Sequence, residues 1–167
     1  MISSPNFFIS ENKSNKVATV GRIIAISISK KRGIPKTNVE SAKLIENFGI
    51  EGDAHTGNWH RQISILAIES IEKMRDSGLP NLRPGDFAEN ITTEFIELPN
   101  LRIGGKIKIG KYAVLEITQI GKECHGKCVI YDKLGDCIMP REGIFAIVIK
   151  GGEIFVGDEV IIKQNEK

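Results

Sequence analysis

The sequence lacks a long hydrophobic run, and this absence excludes the first class of protein. No stretch of about 18 consecutive apolar residues occurs in the chain, so we expect no transmembrane helix. The first residues also lack the charged-then-apolar pattern of a secretory signal peptide. We therefore expect a cytoplasmic protein that has no membrane partner.

An excess of charge of one sign is missing as well. The 23 basic and 21 acidic residues give a net charge of +2, which is too balanced to predict binding to nucleic acid. The basic residues are nevertheless unevenly placed, because Glu11 is the only acidic residue before Glu40 in a segment that contains seven basic ones. This group consists of Lys13, Lys16, Arg22, Lys30, Lys31, Arg32 and Lys36. It forms either a solvated basic surface or a site for a small anion such as phosphate.

Cysteine is scarce, and its few occurrences are confined to one region. The chain of 167 residues, a length that predicts one domain with a substantial core, contains three cysteines and three histidines. All six lie in two windows, Gly52–Gln62 and Gly121–Cys137. An odd number of closely spaced cysteines favours thiols or a metal site over a structural disulfide framework. The cysteine window is therefore the expected chemical centre, and the histidine window is its expected partner.

Alternating apolar residues predict a chain made mainly of strands. Ile24, Ile26 and Ile28 alternate with small or polar residues, as in a strand with one buried face. Gly110 and Lys111 predict a two-residue type II′ turn in a hairpin. The predicted strands include Val17–Ser29, Lys106–Ile109, Tyr112–Ile120, Ile144–Ile149 and Val160–Ile162.

Helical periodicity is convincing only over Ala67–Asp76, where three apolar residues share one face. Many short strands with so little helix are arranged most economically as a barrel, because closure removes exposed strand edges. We therefore predict a mainly β fold, a closed or partly open β-barrel with one or two short helices, over residues 18–167. Residues 1–17 are largely polar and aperiodic, and we expect them to form a flexible N-terminal extension.

The cysteine window allows three interpretations. Lys122 and His125 flank Cys124, and cationic neighbours favour the thiolate, which is the reactive and metal-binding form. Cys124 is thus a reactive thiol or a metal-binding thiolate in the first interpretation. In the second, Cys124, Cys128, Cys137 and a histidine bind structural zinc, although the spacing gives this little support. In the third, the cysteines are small buried residues.

The histidine window and a later polar cluster also leave alternatives open. Asp53, His55 and His60 form either a metal site or a loop that an Asx turn at Asp53 fixes. Arg61 presents a planar fork that suits phosphate, but such arginines also form surface ion pairs. Asn90 lies in an apolar context, where it either donates to a ligand or caps its own turn.

Several motifs together resemble the MOSC domain, the C-terminal domain of molybdenum-cofactor sulfurases. In chain order they are Gly52-Asp53-Ala54-His55, Arg61-Gln62-Ile63-Ser64, Pro84-Gly85-Asp86-Phe87-Ala88-Glu89-Asn90-Ile91-Thr92, Gln119-Ile120-Gly121-Lys122-Glu123-Cys124, and Gly151-Gly152 with Gly157-Asp158. The resemblance runs from about Val20 to Ile162 and is to the small stand-alone bacterial members. It implies a β-barrel of the type found in the barrel domain of pyruvate kinase.

The resemblance also implies roles for particular residues. Cys124 matches the family cysteine, which is proposed to carry sulfane sulfur and which coordinates molybdenum in amidoxime-reducing relatives. Cys124 is therefore the expected catalytic residue and, if the cofactor is bound, the expected molybdenum ligand. The residues expected to line the site of the cofactor's pterin and phosphate are Ser29, Lys30, His55, Arg61, Gln62, Ser64 and Asn90.

The function implied by the resemblance is the handling of the molybdenum cofactor (molybdopterin), as a persulfide carrier, a cofactor-binding protein or both. Expected partners are a cysteine desulfurase or other sulfur donor, and molybdenum-cofactor biosynthesis proteins or molybdoenzymes. The chain has no aminotransferase-like desulfurase domain, so we expect no pyridoxal phosphate. Two alternatives are a cofactor-dependent reductase component for N-hydroxylated compounds and a docking module without catalysis. His125, Cys128 and Cys137 receive no assigned role, although Cys128 could resolve a persulfide as a disulfide.

Overall fold

A computed structural model of the protein describes residues 18–122, 129–135 and 137–163. The predicted N-terminal extension, residues 1–17, lies outside this range. The strands are β1 Ala18–Ile28, β2 Thr37–Val39, β3 Ser41–Ile45, β4 Gly49–Ile50, β5 Ile63–Ala67, β6 Ile91–Glu94, β7 Lys106–Ile109, β8 Ala113–Ile120, β9 Ile144–Lys150, β10 Gly152–Phe155 and β11 Glu159–Lys163. The α-helices are α1 Ile68–Asp76, α2 Val129–Leu134 and α3 Met139–Glu142, and Leu98–Asn100 forms a 3-10 turn.

Seven of these strands close into a barrel. Around it the order is β1, β11, β7, β8, β9, β5 and β6, and β6 pairs with β1 again. Closure is made by β11, which pairs with β1 over Ala18–Arg22 and with β7 over Lys106–Ile109. The predicted mainly β fold with a closed barrel is therefore confirmed. No helix in the described part of the chain is long and apolar enough to cross a membrane.

The barrel is filled by isoleucine, leucine and valine, and a smaller sheet packs against the same core. In that sheet β3 lies between β10 and β4. Leu44, Ile50 and Ile154 from its strands are almost completely buried in the same core as the barrel residues. Branched apolar side chains on alternate strand positions thus account for the hydrophobic patterns in the sequence.

The inward face of β1 differs from the prediction. Ile26 is completely buried, but Ile24 and Ile28 are only half-buried, and Ile23 occupies the core instead. The pairing of β1 with β6 shifts by one residue between Ile23 and Ala25. The predicted strand is confirmed, but this β-bulge exchanges its two faces, so Ile24, Ile26 and Ile28 do not share one buried face.

The predicted hairpin is present, but its turn is longer than predicted. Ile109 pairs directly with Ala113, which leaves three residues in the loop rather than two. Gly110 has a φ of +60°, and a Cβ there would approach Asp158 Oδ2 at 2.7 Å. A three-residue loop is also compatible with glycine at this position, so composition alone did not separate the two turn types.

Three short α-helices occur among the described residues, where one or two were predicted. Helix α1 agrees with the prediction and packs Ile71 and Met74 inward. Helices α2 and α3 have six and four residues, too few to produce a visible helical period. The helices and the outer faces of β5 and β9 form a second core, which contains Leu66, Ile71, Met74, Leu82, Phe87, Ile130, Cys137, Ile138, Met139 and Phe145.

Helix α3 holds the chain at the point where β8 leads into the cysteine window. Ser70 and Lys73 of α1 both bind the Glu142 carboxylate of α3, at 2.7 and 3.0 Å. Next to this link, the Gly121 N–H donates to the Gly143 carbonyl at 2.6 Å, and the Lys122 N–H donates to the carbonyl of Pro140 at 3.3 Å. The position of Lys122 is therefore set by contacts with the chain around α3.

This contact requires glycine at position 121, and substitution tests it. Gly121 has a φ of +72°, and a Cβ there would lie 2.3 Å from the Pro140 carbonyl oxygen. Gly104 has a similar φ of +88°, but a Cβ would meet nothing within 4 Å. We expect Gly104→Ala to lower the free energy of unfolding by about 1–2 kcal/mol, and Gly121→Ala to lower it by about 2 kcal/mol more. Urea denaturation measures both, and equal losses would contradict the close packing described here.

Candidate functional site

A cleft of about 120 Å³ opens where several loops and strand ends meet. Its described lining residues are Arg32, His55, Trp59, Arg61, Ser64, Phe87, Ala88, Lys122, Met139 and Phe145. The histidine window contributes three of them, and Lys122 comes from the first residues of the cysteine window. Arg32, Arg61 and Lys122 carry positive charge, whereas none of the ten is acidic. The cleft therefore attracts anions.

Trp59 organises two of these cations. The guanidinium of Arg32 lies 5.0 Å from the centre of the Trp59 ring, and that of Arg61 lies 4.9 Å from it. The indole N–H of Trp59 donates to the His55 carbonyl at 2.8 Å, which anchors the ring to its own loop. Attraction between a cation and the ring face holds each guanidinium beside the cleft without neutralising its charge.

Arg61 has unused hydrogen-bonding capacity. Its guanidinium also lies 5.6 Å from the centre of the Phe145 ring. Its Nε atom is buried and has no hydrogen-bond partner among the described residues. A buried N–H of a charged group is costly to leave unpaired, so such a group marks a place where an acceptor is expected.

A buried ion pair lies behind the cleft. Lys36 Nζ is 2.6 Å from Asp53 Oδ1, and both side chains are fully buried. Burial alone would raise the pKa of Asp53, but the neighbouring His55 side chain and hydrogen bonds from Lys36 and the Ser29 N–H outweigh it and hold that pKa well below its usual range. Burial also lowers the pKa of Lys36 from 10.5, and Asp53 opposes this change. Lys36 Nζ additionally lies 2.9 Å from Nδ1 of His55.

Asn90 joins three strands and is almost completely buried. Its Nδ2 donates to the Ser27 carbonyl of β1 at 3.1 Å. Its Oδ1 accepts from the N–H and the hydroxyl of Ser64 on β5, at 3.0 and 3.2 Å. Asn90 immediately precedes β6, so its side chain connects β1, β5 and β6. The amide group that the sequence suggested for a ligand is therefore engaged within the barrel wall.

Of the other predicted site residues, some lie on the cleft and one lies within the barrel wall. His55, Arg61 and Ser64 lie together on the cleft. Gln62 is fully buried, accepts from the Val148 N–H at 2.9 Å and donates to Asn47 Oδ1 at 3.2 Å, so its amide is engaged in the barrel wall.

Ser29 and Lys30 lie on the chain just beyond β1, and neither is among the lining residues. Ser29 donates its hydroxyl to the Lys31 carbonyl at 2.8 Å, and Lys30 is exposed. Cys124, with His125 and Cys128, lies outside the described residues. Cys137 is buried in the second core, as the third interpretation of the cysteines expected for a small residue.

The metal hypothesis for the histidine window finds no support. Asp53 and His55 are neighbours, but His60 Nε2 pairs with Gln119 Oε1 at 2.9 Å instead. In the described ranges no three histidine, cysteine, aspartate or glutamate side chains come together to hold a metal ion.

Three sets of residues at or behind the cleft escaped sequence reasoning. Trp59 was overlooked, although it is the single tryptophan of the chain and lies within the histidine window. Lys36 appeared only as one of several basic residues, because no pattern in the sequence indicates that its ammonium is buried against Asp53. Phe87, Met139 and Phe145 received no site role from the sequence, and only the fold brings them to the cleft.

Glu89 is a completely buried acid that follows the lining residue Ala88 in the chain. Its carboxylate accepts hydrogen bonds from the Phe87 N–H and from the Thr92 hydroxyl, both at 3.2 Å. Burial nevertheless dominates and raises the pKa of Glu89 from 4.5 to about 7. The folded protein therefore holds a proton here over a pH range in which the unfolded chain has lost it.

Replacement of Asn90 tests its place in the barrel wall. Asn90→Ala leaves the buried Ser27 carbonyl and Ser64 N–H short of a partner. We expect it to lower the free energy of unfolding by about 3 kcal/mol in urea denaturation. Asn100 is exposed and makes one side-chain bond, to Glu97 at 2.6 Å, so Asn100→Ala is the matched control with an expected loss below about 1 kcal/mol. Similar losses in both variants would show that Asn90 does not bridge the strands.

The protonation of Glu89 gives a pH prediction. Its pKa of about 7 when folded exceeds the 4.5 of an ordinary glutamate, so the folded state binds more protons between these values. Stability should therefore fall as pH rises from about 4.5 to about 7, by about 3 kcal/mol from this group. Glu89→Gln should remove that loss, and Glu153→Gln, at an exposed position, should not. Urea denaturation at pH 5 and pH 8 measures this, and parallel curves for wild type and Glu89→Gln would contradict the raised pKa.

Comparison with known proteins places the chain in a family. A family model described as MOSC domain matches residues 52–161. No curated protein matches the chain. Among solved structures, the YUAD protein from Bacillus subtilis is similar with a TM-score of 0.77 and 21% identity, covering 90% of this chain and 100% of that one.

Two further structures are similar. YiiM from Geobacillus stearothermophilus gives a TM-score of 0.66 at 18% identity, with 86% of this chain and 75% of that one covered. YiiM from Escherichia coli gives 0.62 at 16% identity, with 87% and 71% covered. At these identities the likeness concerns the fold alone. The family match spans more than half of the chain, and the chain therefore belongs to the MOSC domain family, which is associated with the molybdenum cofactor.

Proposed function

We propose that this protein binds the molybdenum cofactor, a phosphorylated pterin, with its phosphate in the cleft, and that Cys124 carries sulfur for it. The observation that carries the proposal is the cationic cleft, in which Arg61 keeps a buried Nε without a partner among the described residues. Arg32 and Lys122 supply two further cations at the same place. A phosphate group provides both the negative charge and the oxygen acceptors that this lining calls for.

The cleft's size indicates which part of the cofactor its described residues would hold. A volume of about 120 Å³ is small beside the roughly 300–1,000 Å³ of typical ligand sites, but it admits a phosphate group. The guanidinium groups over Trp59 occupy space that a flat ring would need for stacking there. Phe87, Met139 and Phe145 offer apolar surface to the pterin side of the ligand. When bound, the cofactor supplies a redox-active molybdenum centre, and this chain supplies anion binding and a thiol.

Cys124 fits this arrangement through its position in the sequence. It follows Lys122 by two residues, and Lys122 lines the cleft. Arginine and lysine beside a cysteine favour the thiolate, which is the form that attacks a persulfide. The thiolate forms a bond to the outer sulfur of a donor persulfide, and the bond between the two donor sulfurs breaks. The donor leaves as a thiolate, so Cys124 carries the persulfide and no outside oxidant is needed.

This reaction defines the partners that the proposal requires. The sulfur comes from a cysteine desulfurase or another protein persulfide. The sulfur or the cofactor then passes to a molybdenum-cofactor biosynthesis protein or to a molybdoenzyme. No observation favours the reductase or the docking-module alternative over this one.

The proposal is tested by the content of protein purified from a molybdate-replete host. We expect molybdenum and pterin to co-purify with the wild type. Arg61→Met should lower the pterin content at least about tenfold, because it removes a charged phosphate contact. Arg102→Met, at an exposed position outside the cleft, is the matched control and should retain wild-type content. Equal pterin in both variants would contradict binding in the cleft.

Sulfur carriage has a separate readout. Incubation with a cysteine desulfurase and cysteine should give a persulfide that thiol-specific labelling and mass spectrometry locate on Cys124. Cys124→Ser should lose that label and keep the wild-type thermal unfolding midpoint. Bound pterin without any persulfide would overturn the carrier role and leave the reductase alternative ahead. Absence of both would leave the docking module.

A further inference from the structure

His55 is held at three points before any ligand arrives. Its backbone N–H donates to Asp53 Oδ2 at 3.1 Å. Its backbone carbonyl accepts from the indole N–H of Trp59 at 2.8 Å. Its ring nitrogen Nδ1 lies 2.9 Å from Lys36 Nζ. The other ring nitrogen, Nε2, has no hydrogen-bond partner within the described ranges. His55 lines the cleft, so Nε2 is left to bind a ligand there.

The charge state of Lys36 decides which ring nitrogen of His55 carries the proton. Asp53 Oδ1 accepts hydrogen bonds from Lys36 Nζ and from the Ser29 N–H, and its Oδ2 accepts a third from the backbone N–H of His55. Nδ1 of His55 lies 3.7 Å from Asp53 Oδ2, which is too far for a hydrogen bond. A carboxylate with three donors is ionised, and it keeps the buried Lys36 as an ammonium. An ammonium has only hydrogens to donate. Nδ1 of His55 must therefore accept, and the ring proton belongs on Nε2.

We propose that the buried Lys36–Asp53 pair fixes His55 in the Nε2–H tautomer, so that His55 presents one directed N–H donor to an anion in the cleft. Lys36 and Asp53 then act as positioning residues, since neither is exposed to the cleft. His55 is the residue that contacts the ligand, and its partner is an oxygen of the phosphate. The identity of the ligand rests on the proposed function, whereas the tautomer does not.

This donor differs in kind from the cations around it. Arg32 and Lys122 attract an anion over a distance, but solvent screens a charge that is open to water, so such a charge fixes the orientation of a ligand weakly. His55, by contrast, is held through its backbone N–H, its backbone carbonyl and its ring nitrogen Nδ1. A fixed donor in the same cleft as the unpaired Nε of Arg61 gives two directions in which oxygen atoms of one phosphate can be bound.

The tautomer can be measured on the ligand-free protein. Long-range ¹H–¹⁵N correlation spectra at pH 8 should show a pyrrole-type Nε2 and a pyridine-type Nδ1 for His55, assigned by the loss of its signals in His55→Asn. The double variant Lys36→Met/Asp53→Asn removes both charges together and should release His55 into a mixture of tautomers. A wild-type proton on Nδ1 would overturn the proposal, even if the double variant fails to fold.

A matched pair of substitutions tests the donor itself, with inorganic phosphate as the probe. The amide nitrogen of glutamine falls near the place of Nε2, whereas asparagine reaches only the place of Nδ1. Calorimetric titration should give His55→Gln an affinity within about threefold of wild type, and should show a loss of about tenfold or more for His55→Asn. Equal loss in both, or loss in neither, would overturn the donor role. A wild type that binds neither phosphate nor pterin would contradict the proposed function, and the spectra would still decide the tautomer.

Discussion

The parallel pairing of β5 with β6 is the constraint on which the cleft depends. It is the one parallel contact in the barrel as far as the structure describes it, since the other barrel pairings are antiparallel. Parallel neighbours cannot be joined by a tight turn and need a long crossover. Here the crossover contains α1 and then returns through residues 77–90. That return carries Phe87 and Ala88 to the cleft, and Asn90 fastens it to β1 and β5.

The polar groups in this region serve two distinct purposes. Asn90, Gln62 and Asp53 are buried and satisfied by protein partners, so they stabilise the wall. Arg32, Arg61 and Lys122 have no acid beside them among the described residues of the cleft lining, so their charge remains available to a ligand. The same separation explains how a chain with a net charge of only +2 can attract anions. Local placement of charge matters here, and the total does not.

Regular patterns allowed much of the fold to be predicted from the sequence. The strands from Lys106 to Ile120 and the apolar run of β9 have the expected pattern. Closure of the strands into a barrel was predicted because it removes exposed strand edges. The bulge in β1 could not be predicted, because Ile23 and Ile24 are chemically alike and only the pairing with β6 decides which one is buried. Helix α3 has four residues, and its formation depends on packing against α1 and β5.

The candidate site was predictable in part. Arg61 was identified because its planar fork suits phosphate, and His55 was identified through the family resemblance. Asn90 and Gln62 gave the same signal, a polar residue among apolar neighbours, yet they hydrogen-bond within the wall. A sequence does not distinguish a polar group that binds a ligand from one that bridges two strands, since both require the same chemistry. Lys36 is the opposite case, because no pattern in the sequence indicates that it is buried. Its partner Asp53 lies seventeen residues further along the chain, and only the fold brings the two together.

The central claim is that the phosphate of a molybdenum-containing pterin lies against Arg61. The most direct measurement is a crystal structure of protein from a molybdate-replete host, with anomalous scattering recorded at the molybdenum absorption edge. The account predicts a molybdenum peak at the cleft and phosphate density within hydrogen-bond distance of Arg61 Nε. Cofactor density elsewhere on the barrel, or in the cleft with Arg61 Nε still unpaired, would contradict it.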